Sequence, residues 1–230
     1  MLKNGCFLAL ILTLICVSCE ETEILNNIRV LVKGKVLDQN GVPLPNANIE
    51  VYTDANVFSA DRVLVGLGES DAFGNFKITS LFGPNELFYI DVSLNSQFSE
   101  YRYLTNTEEF TPQNLIFDLE TLQLNALTTF TYNIVKVNEA SNTLQYNFMY
   151  LDPNCTEFYE EGVLNTQLSN CNVIRNRGAT LNNLSPNAEN ASFKVPLQSQ
   201  IEFTYSLNGG DTISEIITVN EDNYEFTFNY

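Results

Sequence analysis

Five cysteines and no histidine bound the chemistry open to this chain. Without an imidazole, every Ser–His, Cys–His and His–metal design is unavailable. Thiols and carboxylates remain. Cys16 closes an N-terminal apolar run, with Cys6 just ahead of that run and Cys19 just behind it. The two cysteines left over, Cys155 and Cys171, read as a disulfide in an oxidising compartment. Closing a loop of about 15 residues is worth about 3 kcal/mol in the chain-entropy model. Metal binding by this pair is the alternative, but it lacks CxxC spacing and has no His to complete a zinc site. Glu157, Glu160 and Glu161 lie between the two cysteines, with Arg175 and Arg177 close behind. Calcium is a conceivable ligand for these carboxylates, although no D-x-D-x-D-G loop is present. The segment therefore reads as a stapled, polar surface loop. Asp38 and Asp71 sit in turn compositions, where aspartate more often bonds its own backbone than acts as an acid or base. No catalytic residue, metal ligand or cofactor is assigned. A carboxylate-pair glycoside hydrolase remains a remote alternative.

The N-terminus decides where these groups sit. Phe7 to Cys16 is apolar and follows Lys3. About ten apolar residues have the length of a signal-peptide core and fall short of the roughly 20 that span a bilayer. Val17-Ser18-Cys19 follows, and the whole stretch resembles a bacterial lipobox: apolar residues, a small residue, then a cysteine that receives diacylglycerol. Cys16 stands where the lipobox usually has Leu. Cys16 is itself a rival lipid site, but Ile15 before it is β-branched where a small residue is wanted. An ordinary secretory peptide with an incidental cysteine is the other reading. The resemblance implies a signal peptide over residues 1–18, lipid on Cys19 and an acidic tether over residues 19–27. Glu20, Glu21 and Glu23 in that tether resemble the surface-export signal of Bacteroidota lipoproteins, or simply keep the tether solvated. Each buried methylene contributes about 0.8 kcal/mol, so two acyl chains hold where one does not. The expected location is the bacterial outer membrane, on its periplasmic or surface face, with lipid as the membrane contact.

Lys3 is the only charged residue ahead of Cys19, so cleavage leaves ten cations against 28 carboxylates and a net charge of −18. Such a polyanion repels nucleic acid and anionic headgroups. The mature length suggests two small domains.

From Ile28 the chain alternates as strands do. Ile28 to Leu37 and Ala47 to Thr53 are apolar at every second residue, with Asp38-Gln-Asn-Gly41 and a proline-punctuated Val42-Pro43-Leu44-Pro45 between them. Val63, Val65 and Leu67 read as an inward set, and the interleaved Gly66 and Gly68 suggest a bulge or a close backbone approach. Asp71-Ala-Phe-Gly74-Asn-Phe76 reads as a tight turn leading to Ile78. Residues 87–92 form a dense strand covered on both faces. Residues 98–104 read as a marginal edge strand whose Tyr101 and Tyr103 pack at the edge or, less simply, offer a stacking surface to a glycan. Gly34, Asp38, Gly41, Pro43, Leu44 and Ala47, then Asp71, Gly74 and Phe76, together resemble the carboxypeptidase regulatory-like domain, whose members read G-x-V-x-D…G-x-P-L-x-x-A-x-V-x-V…T-D-x-x-G-x-F. Asn46 and Ser70 depart from that pattern. The resemblance covers residues 28–95. It implies a transthyretin-like sandwich of about seven strands, used as an accessory module, with these residues in turns and core.

The first domain is expected over residues 28–122 and a second over 123–230. In the second, Thr128 to Val137, Leu144 to Tyr150, Ile201 to Leu207, Ile213 to Val219 and Tyr224 to Tyr230 read as short strands separated by turns. That pattern argues for another antiparallel β-sandwich, immunoglobulin-like in kind. No helix of useful length is expected. The fold class is all-β, two tandem sandwiches. The function expected is that of a non-catalytic, lipid-anchored binding or adhesion module of the envelope, with a glycan, a peptide or an envelope protein as partner. The alternative is a structural or assembly partner of an outer-membrane transporter.

Overall fold

The computed structural model describes residues 28–54, 61–83, 87–108, 110–138 and 140–230. Cys19 and the tether, with Cys6 and Cys16, lie outside them. About two thirds of the described residues lie in strands. The only helical element among them is a 3-10 turn at Gln113–Leu115, and no helix of the described residues is long and apolar enough to cross a membrane.

The first sandwich contains β1 (Arg29–Asp38), β2 (Asn48–Asp54), β3 (Arg62–Glu69), β4 (Asn75–Leu81), β5 (Leu87–Ser93), β6 (Tyr101–Asn106) and β7 (Ile116–Leu124). One sheet has the order β4-β1-β7. In it β1 pairs antiparallel with β4 and parallel with β7. The facing sheet carries β6-β5-β2-β3. Period-two alternation puts Val30, Val32 and Val36 of β1 opposite Ile49 and Val51 of β2 and Phe88, Ile90 and Val92 of β5, all buried in one core with Phe76 and Phe117.

The second sandwich is built from β8 (Leu127–Val135), β9 (Leu144–Leu151), β12 (Ile174–Leu181), β13 (Ala188–Pro196), β14 (Gln200–Leu207), β15 (Ile213–Thr218) and β16 (Tyr224–Asn229), with β10 (Cys155–Glu160) and β11 (Val163–Asn170) set between β9 and β12. Its sheets have the orders β13-β8-β16 and β12-β9-β14-β15. The immunoglobulin-like expectation holds in strand number and layering, seven strands in sheets of three and four. The order of the strands, however, repeats that of the first sandwich. In each unit, omitting β10 and β11, the first strand lies between the fourth, antiparallel, and the seventh, parallel, while the other sheet runs third, second, fifth, sixth. Its core is aromatic, with Phe130, Phe148 and Phe203 fully buried among Tyr132, Tyr146 and Phe193.

Two sequence expectations change in register. Of the expected inward set, Val65 packs against the core, while Val63 and Leu67 are exposed. A bulge between Val51 and Tyr52 shifts the pairing with β3, and the glycines take the inward positions. A Cβ on Gly66 would lie 2.8 Å from the Ser80 Cβ, and one on Gly68 would lie 2.7 Å from Ile78. Removing both side chains lets β3 close against β4 and seals that side of the sandwich. The stretch 98–104 is not an edge. Its strand is β6, and another strand lies on its outer side.

Candidate functional site

That outer strand is β10. The segment between Cys155 and Cys171 is no loop. It folds as a hairpin, β10 and β11, joined to the first sandwich rather than the second. β10 pairs in parallel with β6, from Cys155 opposite Tyr101 to Tyr159 opposite Thr105, and extends that sheet to six strands in the order β11-β10-β6-β5-β2-β3. The physical reason lies in the alternation. Cys155, Glu157 and Tyr159 share the face that looks toward the core, and Cys155 and Tyr159 pack against it. The expected Cys155–Cys171 disulfide is present and closes the base of the hairpin. Two hydrogen bonds splice the hairpin in: Cys155 N–H donates to the Glu100 carbonyl, and Glu100 N–H donates to the Asn154 side-chain Oδ1. Arg175, just beyond the hairpin, pairs with Asp152 just before it at 2.7 Å.

Glu157 is the centre of the contact. Its Oε2 accepts the Tyr101 hydroxyl at 2.6 Å and the Tyr159 hydroxyl at 2.9 Å. Cys155, Glu157 and Cys171 place ligand atoms close together, but the two sulfurs are bonded to each other and the carboxylate serves two tyrosines. Tyr159 stacks on Tyr103 with centroids 4.4 Å apart. Tyr101 and Tyr103 are buried in this packing, so they offer no stacking surface to a glycan. Glu160 accepts from Asn165 within the hairpin, and Glu161 takes a left-handed conformation at its turn.

Burial, followed by the hydrogen bond and charge of Glu157, pushes the Tyr159 hydroxyl up to about 12. Burial also raises Tyr101 and Tyr103. Tyrosine in an unfolded chain ionises near 10. The neutral form is therefore the one the docked hairpin favours. Its contribution is complete below about pH 10 and is lost as pH rises through about 12. The urea midpoint is expected to be flat up to about pH 10 and to fall above it as tyrosinate absorbance grows. A midpoint that stays level to pH 12 would contradict this coupling.

The motif residues fall elsewhere, in the turns and core of the first sandwich. Asp38 Oδ1 accepts from the backbone N–H of Asn40 and Val42, closing the turn at Gly41. Asp71 Oδ1 does the same for Phe73 and Asn75, and these backbone bonds, that of Asn75 first, hold its carboxyl below the usual range. Each aspartate thus serves the backbone of its own turn. Gly74, at φ 78°, sits so close that a Cβ would lie 2.4 Å from the Val36 carbonyl oxygen. Leu44, Ala47 and Phe76 are buried, and the Phe76 ring fills the space a Cβ on Gly34 would occupy. Pro43 makes an isolated bridge to Leu37. Ser70, a departure from the resembled pattern, is buried, accepting from Ala47 N–H and donating to the Leu44 carbonyl.

Sequence reading passed over one feature. Because the hairpin widens one sheet only, an open cleft of about 420 Å³ lies between it and β7, lined by Tyr103, Phe110, Ile116, Glu120, Tyr159 and Gly162 among others. The available signal was the alternation of Cys155, Glu157 and Tyr159.

No family model matches the chain. The protein YlqB of Bacillus subtilis (strain 168) is 37% identical over 60 residues, 26% of this chain and 36% of that protein. The chain thus matches only about a third of that relative's length. Among solved structures the chain is similar to the Bacillus anthracis TIE protein (TM-score 0.33, 14% identity, 89% of this chain and 34% of that one). It is also similar to the shaft pilin SpaA of Lactobacillus rhamnosus GG (TM-score 0.31, 7% identity, 88% and 97%). A third is the tip fimbrial protein Mfa3 of Porphyromonas gingivalis with C-terminal truncation (TM-score 0.28, 10% identity, 83% and 82%). Scores at this level carry no assignment of function.

Proposed function

We propose that the protein is a lipid-anchored, non-catalytic binding module of the bacterial envelope, held in the outer membrane through Cys19 and presenting its first sandwich to a partner. The observation that carries the binding reading is the hairpin β10–β11. A second unit donates two strands to the first unit's sheet, staples them with a disulfide, and leaves an aromatic cleft beside them. Binding residues concentrate where a rigid scaffold fixes an irregular insertion. Three carboxylates singled out in the sequence are committed to structure: Asp38 and Asp71 to turn backbone, Glu157 to two tyrosine hydroxyls. The resemblance of residues 28–95 to the carboxypeptidase regulatory-like domain, an accessory module, agrees with this assignment.

The anchor is tested by metabolic labelling with a tagged palmitate. The full-length protein is expected to carry label in the membrane fraction, and the Cys19→Ala variant to lose it. Label that persists in Cys19→Ala, or a wild-type product that keeps its leader in the cytosol, would overturn the anchor.

A further inference from the structure

The two sides of the first sandwich differ. At the β3–β4 side Gly66 and Gly68 bring the sheets together. At the opposite side β7 is the end of its sheet, with no strand on the flank away from β1 among the described residues. The facing sheet runs on past β7 by the two strands of the hairpin. The edge of β7 therefore overlooks a shelf. An unpaired strand edge is a template for another strand.

The shelf and its rim have a definite chemistry. Its floor is the half-buried Tyr159 ring stacked on Tyr103. The hydroxyl of Tyr159 donates to Glu157, which fixes the ring and pushes electron density into its π system, favouring a cation over its face. One end is closed by Phe110, which lies where a Cβ on Gly162 would be. The lining includes Asp118 and Glu120 and no lysine or arginine. Asp118 is matched by Lys33 on the outer face of the sheet at 2.6 Å. Glu120 has no side-chain partner among the described residues and is held at φ 51° in the bulge of β7. Glu160 and Glu161 stand at the hairpin turn beside Gly162.

We propose that this cleft binds an extended basic peptide segment, added as a strand to the free edge of β7, with a lysine or arginine side chain laid over Tyr159 toward Glu120. The proposal rests on the first sandwich being a binding module and names the partner's chemistry.

The test uses the intact folded protein and a synthetic peptide of alternating lysine and valine, about six residues long. Two controls have glutamate for lysine or N-methyl groups on alternate amides. The lysine peptide is expected to bind in the micromolar range, to weaken with salt, and to protect β7 amides from hydrogen exchange. Glu120→Gln should weaken it about tenfold, the scale of one hydrogen bond to a charged group. Placing the N-methyl groups on the amides facing β7 should abolish it. Glu120→Gln lies on an exposed rim, so the fold is retained, and an unchanged urea midpoint checks that. Equal binding of the lysine and glutamate peptides, indifference to N-methylation, or unchanged affinity in Glu120→Gln would overturn the proposal. Concentration-dependent self-association that protects β7 would overturn it in favour of a second copy as occupant. A glycan or neutral peptide that protects the cleft would overturn the basic partner and leave the binding module standing. Protection by none of these probes, or by a broad glycan and peptide array, would count against both.

Discussion

Phe148→Ala is expected to destabilise the second sandwich by about 3–5 kcal/mol. The ring is fully buried. It lies 4.6 Å from Tyr132, 4.8 Å from Phe203 and 5.5 Å from Phe130, and its edge meets Phe226 at 90°. Truncation removes the transfer energy of the ring and leaves a cavity. The surrounding rings belong to three other strands, two of them in the facing sheet, so no one shift fills it. Folded domains are stable by only about 5–15 kcal/mol, so one substitution removes a large share. Urea denaturation followed by near-ultraviolet circular dichroism should show an earlier loss of the aromatic signal. A change below about 1 kcal/mol would mean that the ring is not the centre of this core. β9 runs directly into the hairpin, so β10 amides should also exchange faster in this variant.

Removing the staple is the second large effect. Replacing Cys155 and Cys171 together by alanine frees a loop with a sequence separation of 16, worth about 3 kcal/mol in the unfolded-state model. The loss should be concentrated. β10 joins the sheet through one parallel ladder with β6, and parallel pairing is slightly weaker per residue than antiparallel. The Tyr101–Glu157–Tyr159 bonds depend on that ladder. Hydrogen exchange should accelerate first at 155–160 and at the β6 amides they cover, while β8 and β14 amides stay protected. Reduction of the wild-type protein should reproduce the pattern. Uniform acceleration across both sandwiches would show that the disulfide acts on global stability alone.

Alternation made most strands legible, because a sheet with one buried face writes a period of two into the sequence. Residues 28–38 and 144–150 are clear cases. The Asp38 and Asp71 turns were readable because the reason for Asp and Gly there is local. Three things were not readable. The inward side of β3 depends on a bulge in its pairing with β2, and a slip of one residue turns Val63 and Leu67 outward. The partner of β10 is more than fifty residues away and runs parallel, so nothing local announces it. The cleft follows from that pairing, so it was hidden with it. The repeat of strand order between the sandwiches is likewise a matter of pairing, since Asp38-Gln-Asn-Gly41 has no counterpart in the second unit.

In each sandwich the entering strand and the departing strand lie side by side and run in the same direction, β1 with β7 and β8 with β16. Tension applied across a unit then pulls the two strands past one another, and the ladder between them is loaded all at once instead of one rung at a time. A polypeptide tethered to a membrane at one end and gripped at the other meets stress in this way. The arrangement therefore makes each unit a strong link along the direction of pull, whereas the hairpin, whose ends both come from the second unit, would peel.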